Sequence, residues 1–182
     1  MYRACSPTPP PHPPVQELCS QYWPSEVGEA KQFGRVTVEL TSQDSPRAEY
    51  VVRKLRVWQE NKQEEGRLVT QFHFLQWPQG GCPDSATPVV ELVNDLQRVQ
   101  RQSGNRPITV QCSDGVDRTG AFCALVTALE RVKTEQIVDV FKTVISLRIQ
   151  RLGMVTTAVS KTLLLGVSRT HGKAPISCCV MP

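Results

Sequence analysis

The chain has 182 residues, a length that suits one domain with a real core and is too short for two comfortable ones. A hydrophobic share of 40% and a charged share of 21% are ordinary for a soluble globular protein. The formal net charge of +4 favours an anionic substrate, but it is too diffuse to indicate binding to nucleic acid.

Apolar segments and cysteines exclude further classes. Lys161 interrupts the best candidate for a membrane span, LGMVTTAVSKTLLLGV, and the N-terminus lacks the apolar stretch of a signal peptide. The seven cysteines are irregularly spaced and do not cluster with the three histidines. This pattern argues against a disulfide framework, a metal site or a metal cofactor. Free thiols fit a reducing cytosol, so we expect a cytoplasmic protein without a cofactor.

The first segment is rich in proline. Six of the 14 prolines fall within SPTPPPHPP, which predicts a disordered, polyproline-like arm over residues 1–18. Such a stretch is typical of ligands for SH3 or WW domains. A plain tail is the simpler interpretation of the same composition.

The following segments alternate between apolar and polar residues and predict β-strands. Three strands are predicted, over residues 35–41, 50–58 and 68–77. A helical stripe of apolar residues follows over 88–102, and then ITVQC, over 108–112, is a short apolar run that predicts a buried strand. This order predicts an α/β layer fold.

Two more helices are predicted toward the C-terminus, over residues 119–132 and 135–150. The second carries an apolar stripe that we assign to the core. Its members are Ile137, Val140, Phe141, Val144 and Leu147.

The stretch VQCSDGVDRTG, over residues 110–120, carries the chemistry. A strand, a glycine-bearing turn and a helix N-terminus together bind anions, because backbone N–H groups point inward and the helix dipole adds positive potential. Gly115 and Gly120 permit backbone angles that other residues resist. Arg118 can grip two phosphate oxygens with its planar guanidinium.

The same positive field favours a thiolate nucleophile at Cys112. Thr119 follows closely enough to donate a hydrogen bond to that sulfur when it departs as a leaving group. A cysteine and an arginine six positions apart, between a strand and a helix, therefore predict a phosphate-binding and phosphate-cleaving loop.

At these residues the sequence resembles the cysteine-dependent protein tyrosine phosphatases. The segments CSQYWP, VTVELTSQ, TQFHFLQWP, PDSATP and PITVQCSDGVDRTGAFCAL follow one another in the family's order. LERVKTEQIVDVFKTVISLRIQR is most similar to the membrane-distal second domains of receptor-type members. The resemblance covers residues 19–157 and implies a twisted mixed sheet flanked by helices, incomplete at the N-terminus. Residues 158–182 then form a divergent tail.

The resemblance also implies roles for residues and partners. Cys112 corresponds to the nucleophile and Arg118 to the phosphate ligand. The substrate is then a phosphotyrosine protein or peptide, and a longer product would place the domain in the intracellular part of a membrane receptor. The phosphate cradle is implied at Ser113, Asp114, Gly115, Val116, Asp117 and Arg118.

The general-acid position departs from the family pattern. The family loop reads Trp-Pro-Asp, whereas this chain has Gln79 after Trp77 and Pro78. Gln79 is no acid for the leaving phenolate, and loss of a positioned acid slows a reaction by about 10²–10⁴. Asp84 is not an obvious replacement, because many family members have an acid there as well.

Four further positions differ from the family. Gln111 replaces the histidine before the nucleophile, and Ser160 stands near the place of a water-positioning glutamine. Asp114 and Asp117 replace a small residue and a glycine. A carboxylate about 6 Å from the thiolate would oppose its charge. If both carboxylates point to solvent instead, they matter little.

Three functions fit this pattern. The first is a receptor-type tyrosine-phosphatase-like domain that is weak or inactive and acts as a regulatory module. The second is an active phosphatase with another substrate, such as a phosphoinositide, because CSDGVDRT is similar to the CSDGWDRT loop of myotubularin lipid phosphatases. Asp117 would then be the acid, although Val116 departs from that motif. The third is a redox-responsive or scaffold module that uses Cys112 and the proline-rich arm.

Overall fold

A computed structural model describes residues 19–78, 81–104, 106–136 and 139–156. These residues form a four-stranded sheet followed by three helices. The strands are β1 (Ala30–Phe33), β2 (Val36–Arg47), β3 (Tyr50–Gln59) and β4 (Arg67–Phe74), with a short 3-10 helix at Gln63–Glu65 before β4. The helices are α1 (Thr87–Gln102), α2 (Asp117–Glu135) and α3 (Val140–Gln150).

The sheet is a meander in which each strand pairs antiparallel with its neighbour in the chain. Alternating apolar residues in β2 bury Val38 and Leu40, and Leu55 of β3 lies opposite Leu40. Together with Trp23 they form a small apolar cluster on one face. Because side chains alternate along a strand, Tyr50 lies on the opposite face, where its hydroxyl donates to the carboxylate of Asp95 in α1.

The larger apolar core lies among the helices. It is formed by buried side chains from all three helices and by Val155, which follows α3. Phe74, the last residue of β4, and Trp77, which follows β4, pack against it. This packing places the N-terminus of α2 beside the chain that leaves β4. The buried members are Val89, Val90, Val93, Ala124, Leu125, Leu129, Val144 and Val155.

The α/β fold class is confirmed, and so are the three predicted strands and the helix over 88–102, although their ends differ. β2 continues to Arg47 and β4 ends at Phe74. β1 was not predicted, because AKQF is short and its residues are mostly exposed. The helix predicted over 119–132 is also confirmed as the middle of α2.

The buried strand predicted over 108–112 is wrong. This segment pairs with none of the strands in the described sheet, and the side chain of Ile108 is 46% exposed. Because it adds no strand, the sheet is antiparallel throughout its described part, where we expected a mixed one.

The helix predicted over 135–150 begins later, at Val140. Gln136 takes a left-handed conformation, with φ of 56°, and ends α2. Asp139 then caps α3, because its carboxylate accepts a hydrogen bond from the backbone N–H of Lys142. Val144 is buried as predicted, whereas Phe141 is 43% exposed and does not belong to the core. Ile137 lies outside the described residues.

Other predictions concern parts of the chain that the structure does not describe. The proline-rich arm over 1–18 and the tail over 158–182 are among them, so both stay predictions. Within the described ranges, none of the helices has the length and apolar character needed to cross a bilayer.

Candidate functional site

The loop that connects residues 108–112 to α2 turns sharply at Gly115. This glycine has a φ of 69°, in the left-handed region where a side chain is strained. A Cβ atom there would also lie 2.9 Å from Nη2 of Arg151. The turn carries the chain from Cys112, which is half-buried, to the first residue of α2 at Asp117.

The sulfur of Cys112 receives two hydrogen bonds from the first turn of α2. Oγ1 of Thr119 lies 3.0 Å from Sγ, and the Thr119 backbone nitrogen lies 3.4 Å from it. The hydroxyl therefore stands where the sequence predicts support for a departing sulfur. Its role in catalysis stays a prediction.

Asp114 turns into the loop. Its Oδ1 accepts hydrogen bonds from the backbone N–H of Val116, at 2.9 Å, and of Asp117, at 3.2 Å. The thiol of Cys112 donates to the same oxygen at 3.1 Å. The carboxylate of Asp114 therefore contacts the loop, although the residue is exposed, and its Oδ1 is much nearer to the sulfur than the expected 6 Å or so.

The Asp114 carboxylate is charged at neutral pH. The Val116 amide, and then the Cys112 thiol, hold the pKa of Asp114 below its ordinary value. A negative oxygen thus lies against two amides at the N-terminus of α2, which is the place that favours an anion.

Asp117 contacts the segment that follows α3. Its Oδ1 accepts a hydrogen bond from Oγ1 of Thr156 at 3.1 Å. A backbone hydrogen bond connects the same two segments, since the N–H of Val155 donates to the carbonyl of Val116 at 3.3 Å. Nothing in the sequence predicts that Thr156 contacts the Cys112 loop.

Gly120 is needed for a reason other than the predicted one. It lies within α2, and a Cβ atom on it would stand 2.6 Å from the backbone nitrogen of Val155. Val155 is buried and has a φ of 60°, a rare conformation for a β-branched residue. Arg148 holds this segment, because its guanidinium donates to the carbonyls of Met154 and Val155, each at 2.9 Å.

Arg118 reaches across to the segment that bears the degenerate acid position. Its Nη2 lies 3.4 Å from the carbonyl oxygen of Pro78. In the same region, the indole N–H of Trp77 donates to the carbonyl of Gly81 at 2.9 Å. Gln79 itself lies outside the described residues.

The remaining predicted positions are dispersed. Ser113 is exposed, and Gln111 donates from Nε2 to the sulfur of Cys19 at 3.3 Å. Ser160 lies outside the described residues. Among the residues that are described, no group of three or more histidine, cysteine or acidic side chains is placed to hold a metal ion.

Comparison with known proteins gives consistent matches. The model of the protein-tyrosine phosphatase family matches residues 14–163. Receptor-type tyrosine-protein phosphatase alpha of Homo sapiens is 48% identical over 142 residues, which are 78% of this chain and 17% of that protein. Receptor-type tyrosine-protein phosphatase epsilon of Mus musculus is 43% identical over 145 residues, which are 78% of this chain and 20% of that protein. Receptor-type tyrosine-protein phosphatase S of Gallus gallus is 37% identical over 143 residues, which are 78% of this chain and 9% of that protein. The chain thus spans a fifth or less of the length of these relatives.

Proposed function

Because the chain belongs to the protein-tyrosine phosphatase family, we propose that it is a receptor-type phosphatase domain that is weak or inactive in catalysis and regulatory in role. One observation carries this proposal. The Asp114 carboxylate accepts from the amides of Val116 and Asp117 and from the thiol of Cys112. The anion cradle thus holds an anion that belongs to the chain itself.

The family resemblance defines the reaction that this loop would have to perform. The sulfur of Cys112 forms a bond to phosphorus while the bond from phosphorus to the tyrosine oxygen breaks, and an acid gives the phenolate a proton. Water then attacks phosphorus and releases phosphate and the sulfur. Arg118 would bind the phosphate oxygens, and the Thr119 hydroxyl, 3.0 Å from Sγ, would support the departing sulfur.

Substrate binding is the first step that Asp114 opposes. A phosphate dianion needs the same amides that the carboxylate holds, so it must displace Asp114 before it can bind. While both anions remain near the loop, their like charges repel each other. Arg118 offsets only part of this cost, because its Nη2 is directed to the Pro78 carbonyl.

Nucleophilic attack is the second step that Asp114 opposes. The thiol donates its proton to Oδ1 of Asp114 across 3.1 Å. A thiolate at Cys112 would lose that hydrogen bond and place a second negative charge beside the carboxylate. The nearest charged neighbour of the sulfur is therefore an anion, whereas the hydroxyl and the backbone N–H of Thr119 donate to the sulfur.

Protonation of the leaving group is the third step. Gln79 stands where the family has an aspartate, and its amide is no source of a proton at neutral pH. Loss of a positioned acid costs about 10²–10⁴ in rate. Together these three effects support a domain that is weak or inactive in catalysis.

Phosphate release by the folded full chain tests the proposal. A phosphotyrosine peptide and a 3-phosphoinositide serve as substrates side by side, with Cys112→Ser as control. We expect little release from either substrate. Efficient release that vanishes in Cys112→Ser would contradict the proposal, and the preferred substrate would then distinguish a tyrosine phosphatase from a phosphoinositide phosphatase.

Restoring the acid gives a second measurement. Gln79→Asp should raise any residual release from the phosphotyrosine peptide, and Gln79→Asn is the matched control that restores no acid. An unchanged rate in Gln79→Asp would locate the defect in the Cys112 loop. The redox alternative is tested by alkylation of Cys112 against pH, because it requires a sulfur that reacts more readily than an ordinary thiol.

A further inference from the structure

A buried arginine lies in the middle of the sheet, far along the chain from the Cys112 loop. Arg53 of β3 is only 8% exposed and lies between Gln43 of β2 and Gln71 of β4, which are its partners across the strands. Its Nε donates to Oε1 of Gln43 at 2.7 Å, and its Nη1 donates to Oε1 of Gln71 at 3.0 Å. Both of these acceptors are neutral amides.

The third acceptor, His73, is also neutral. Nη1 of Arg53 lies 3.1 Å from its Nδ1, and since a guanidinium only donates, Nδ1 must accept and the ring proton sits on Nε2. Burial, and then the charge of Arg53, lower the pKa of His73. Trp23 covers both groups, with its ring centre 4.8 Å from the Arg53 carbon Cζ and 5.3 Å from the histidine ring.

Arg53 therefore has no anion among the described residues. None of the ion pairs in that part of the chain includes it. Burial is the main influence on this side chain, and it lowers the pKa of Arg53. A buried charge without a counter-charge is costly, and an anion that bound there would remove that cost.

One nitrogen of Arg53 still offers its hydrogens. Nη2 has no acceptor in the described structure, since the three hydrogen bonds of Arg53 use Nε and Nη1. Every side-chain nitrogen or oxygen that is fully shielded from water in the described residues does have a partner. Nη2 is therefore not fully shielded from water. Tyr22 is linked to the neighbouring nitrogen, Nη1, through Gln71: Oε1 of Gln71 accepts from Nη1, and Nε2 of Gln71 donates to the Tyr22 oxygen at 2.8 Å. That bond leaves the Tyr22 proton to donate elsewhere.

We propose that Nη2 of Arg53 and the hydroxyl of Tyr22 form a binding site for one oxyanion, a carboxylate or a phosphate group. The guanidinium of Arg53 and the hydroxyl of Tyr22 flank the same amide, that of Gln71, and Tyr22 is 37% exposed. An oxyanion carries at least two oxygens, which can accept from Nη2 and from the hydroxyl separately. The site lies on the sheet face that carries Trp23. It does not rest on the proposed function, because it shares no residue with the Cys112 loop.

Anion titration of the full chain tests the site, in an Arg118→Ala background that silences the loop. Inorganic phosphate and acetate are titrated separately against chloride at equal ionic strength. The indole N–H signal of Trp23 is followed by NMR, together with the unfolding temperature. We expect a saturable shift of the indole signal and a rise in unfolding temperature. Response to phosphate alone, acetate alone or both identifies the group that binds, and response to neither overturns the proposal.

Two variants assign the response to named donors. Tyr22→Phe keeps the ring and removes one donor, and should weaken anion binding about fivefold. Arg53→Met removes the buried charge and should abolish the response, although the loss of its three hydrogen bonds also lowers the unfolding temperature. Arg56→Met is the matched control, because it removes the same charge from β3 on the opposite face.

The variants also separate an anion site from a purely structural arginine. A purely structural role predicts that anions do not raise the unfolding temperature of the parent chain and that Tyr22→Phe titrates like the parent, and either result would overturn the proposal. If Arg53→Met fails to fold, the Tyr22→Phe titration decides alone. An equal loss of response in Arg56→Met would also overturn it, since the effect would then follow net charge.

Discussion

The Cys112 loop and the Arg53 cluster both present N–H groups to an anion, yet only the loop contains one. In the loop, the Asp114 carboxylate takes the amides of Val116 and Asp117. In the Arg53 cluster, each acceptor is a neutral side chain. The loop thus has its anion built in, whereas the buried guanidinium has none within the described part of the chain.

The difference follows from how each place is assembled. Asp114 lies two and three residues before the amides that it binds, so local turn geometry is enough to fill the loop. The acceptors of Arg53 come from different strands, and Trp23 from a segment about thirty residues upstream. The Cys112 loop should therefore bind an external anion weakly, because Asp114 already occupies its amides. The Arg53 cluster should bind an anion more readily, because one of its donors has no acceptor.

The largest expected effect is on phosphate binding when Arg118 is removed, and it distinguishes the Cys112 loop from the Arg53 cluster. Arg118→Ala should weaken phosphate or vanadate binding at the loop by about 100-fold, because charge-assisted hydrogen bonds contribute most of the affinity for an oxyanion. Isothermal titration calorimetry measures this loss. The Trp23 indole response to anions should persist, and its disappearance in Arg118→Ala would mean that the two places are one site.

A packing change perturbs the loop and leaves the sheet alone. Gly120→Ala should lower the free energy of unfolding by about 1–3 kcal/mol, because the new methyl group would overlap the backbone of Val155. Thermal and chemical denaturation followed by circular dichroism measure the loss, with the exposed Thr127→Ala of the same helix as control. Equal stability of the two variants would show that residues 154–156 do not pack on α2 as described.

Much of the fold was predictable from the sequence, because periodicity reports burial directly. The alternation in VTVEL and the helical stripe of 88–102 each identified an element. The strand predicted for ITVQC is wrong, because an apolar run is compatible with a buried strand but does not show that another strand lies beside it to pair with. The boundary between the last two helices was predicted too early in the chain, because a left-handed glutamine at position 136 has no sequence signal as strong as a glycine.

The site was less predictable than the fold. The motif identified Cys112 and Arg118 by spacing, but the sequence left open whether Asp114 turns inward or outward. Arg53 was overlooked, because an arginine in the strand YVVRKLRVW normally faces solvent. Its burial depends on Trp23 and on side-chain amides from two other strands. The local alternation of apolar and polar residues does not predict contacts between segments that are distant in the sequence.

The smallest expected effect is a pH dependence that belongs to the Arg53 cluster. The pKa of His73 is lowered in the folded chain, so the unfolded chain binds a proton first as pH falls through about 6.5. Stability is therefore complete above that pH and should decline below it. Urea denaturation on both sides of this pH measures the slope. His73→Gln keeps a neutral acceptor and should flatten it, whereas an unchanged slope would assign the effect to other groups.

Phosphate affinity of the folded chain and its Asp114 variants tests the central claim most directly. Asp114→Ala frees both amides and removes the charge, and Asp114→Asn removes the charge while it keeps an acceptor for the amides. If the carboxylate occupies the anion cradle, Asp114→Ala should bind phosphate about tenfold more tightly than the parent chain, with Asp114→Asn in between. Equal or weaker binding by Asp114→Ala would contradict the account, because Asp114 would then support the loop without competing for it.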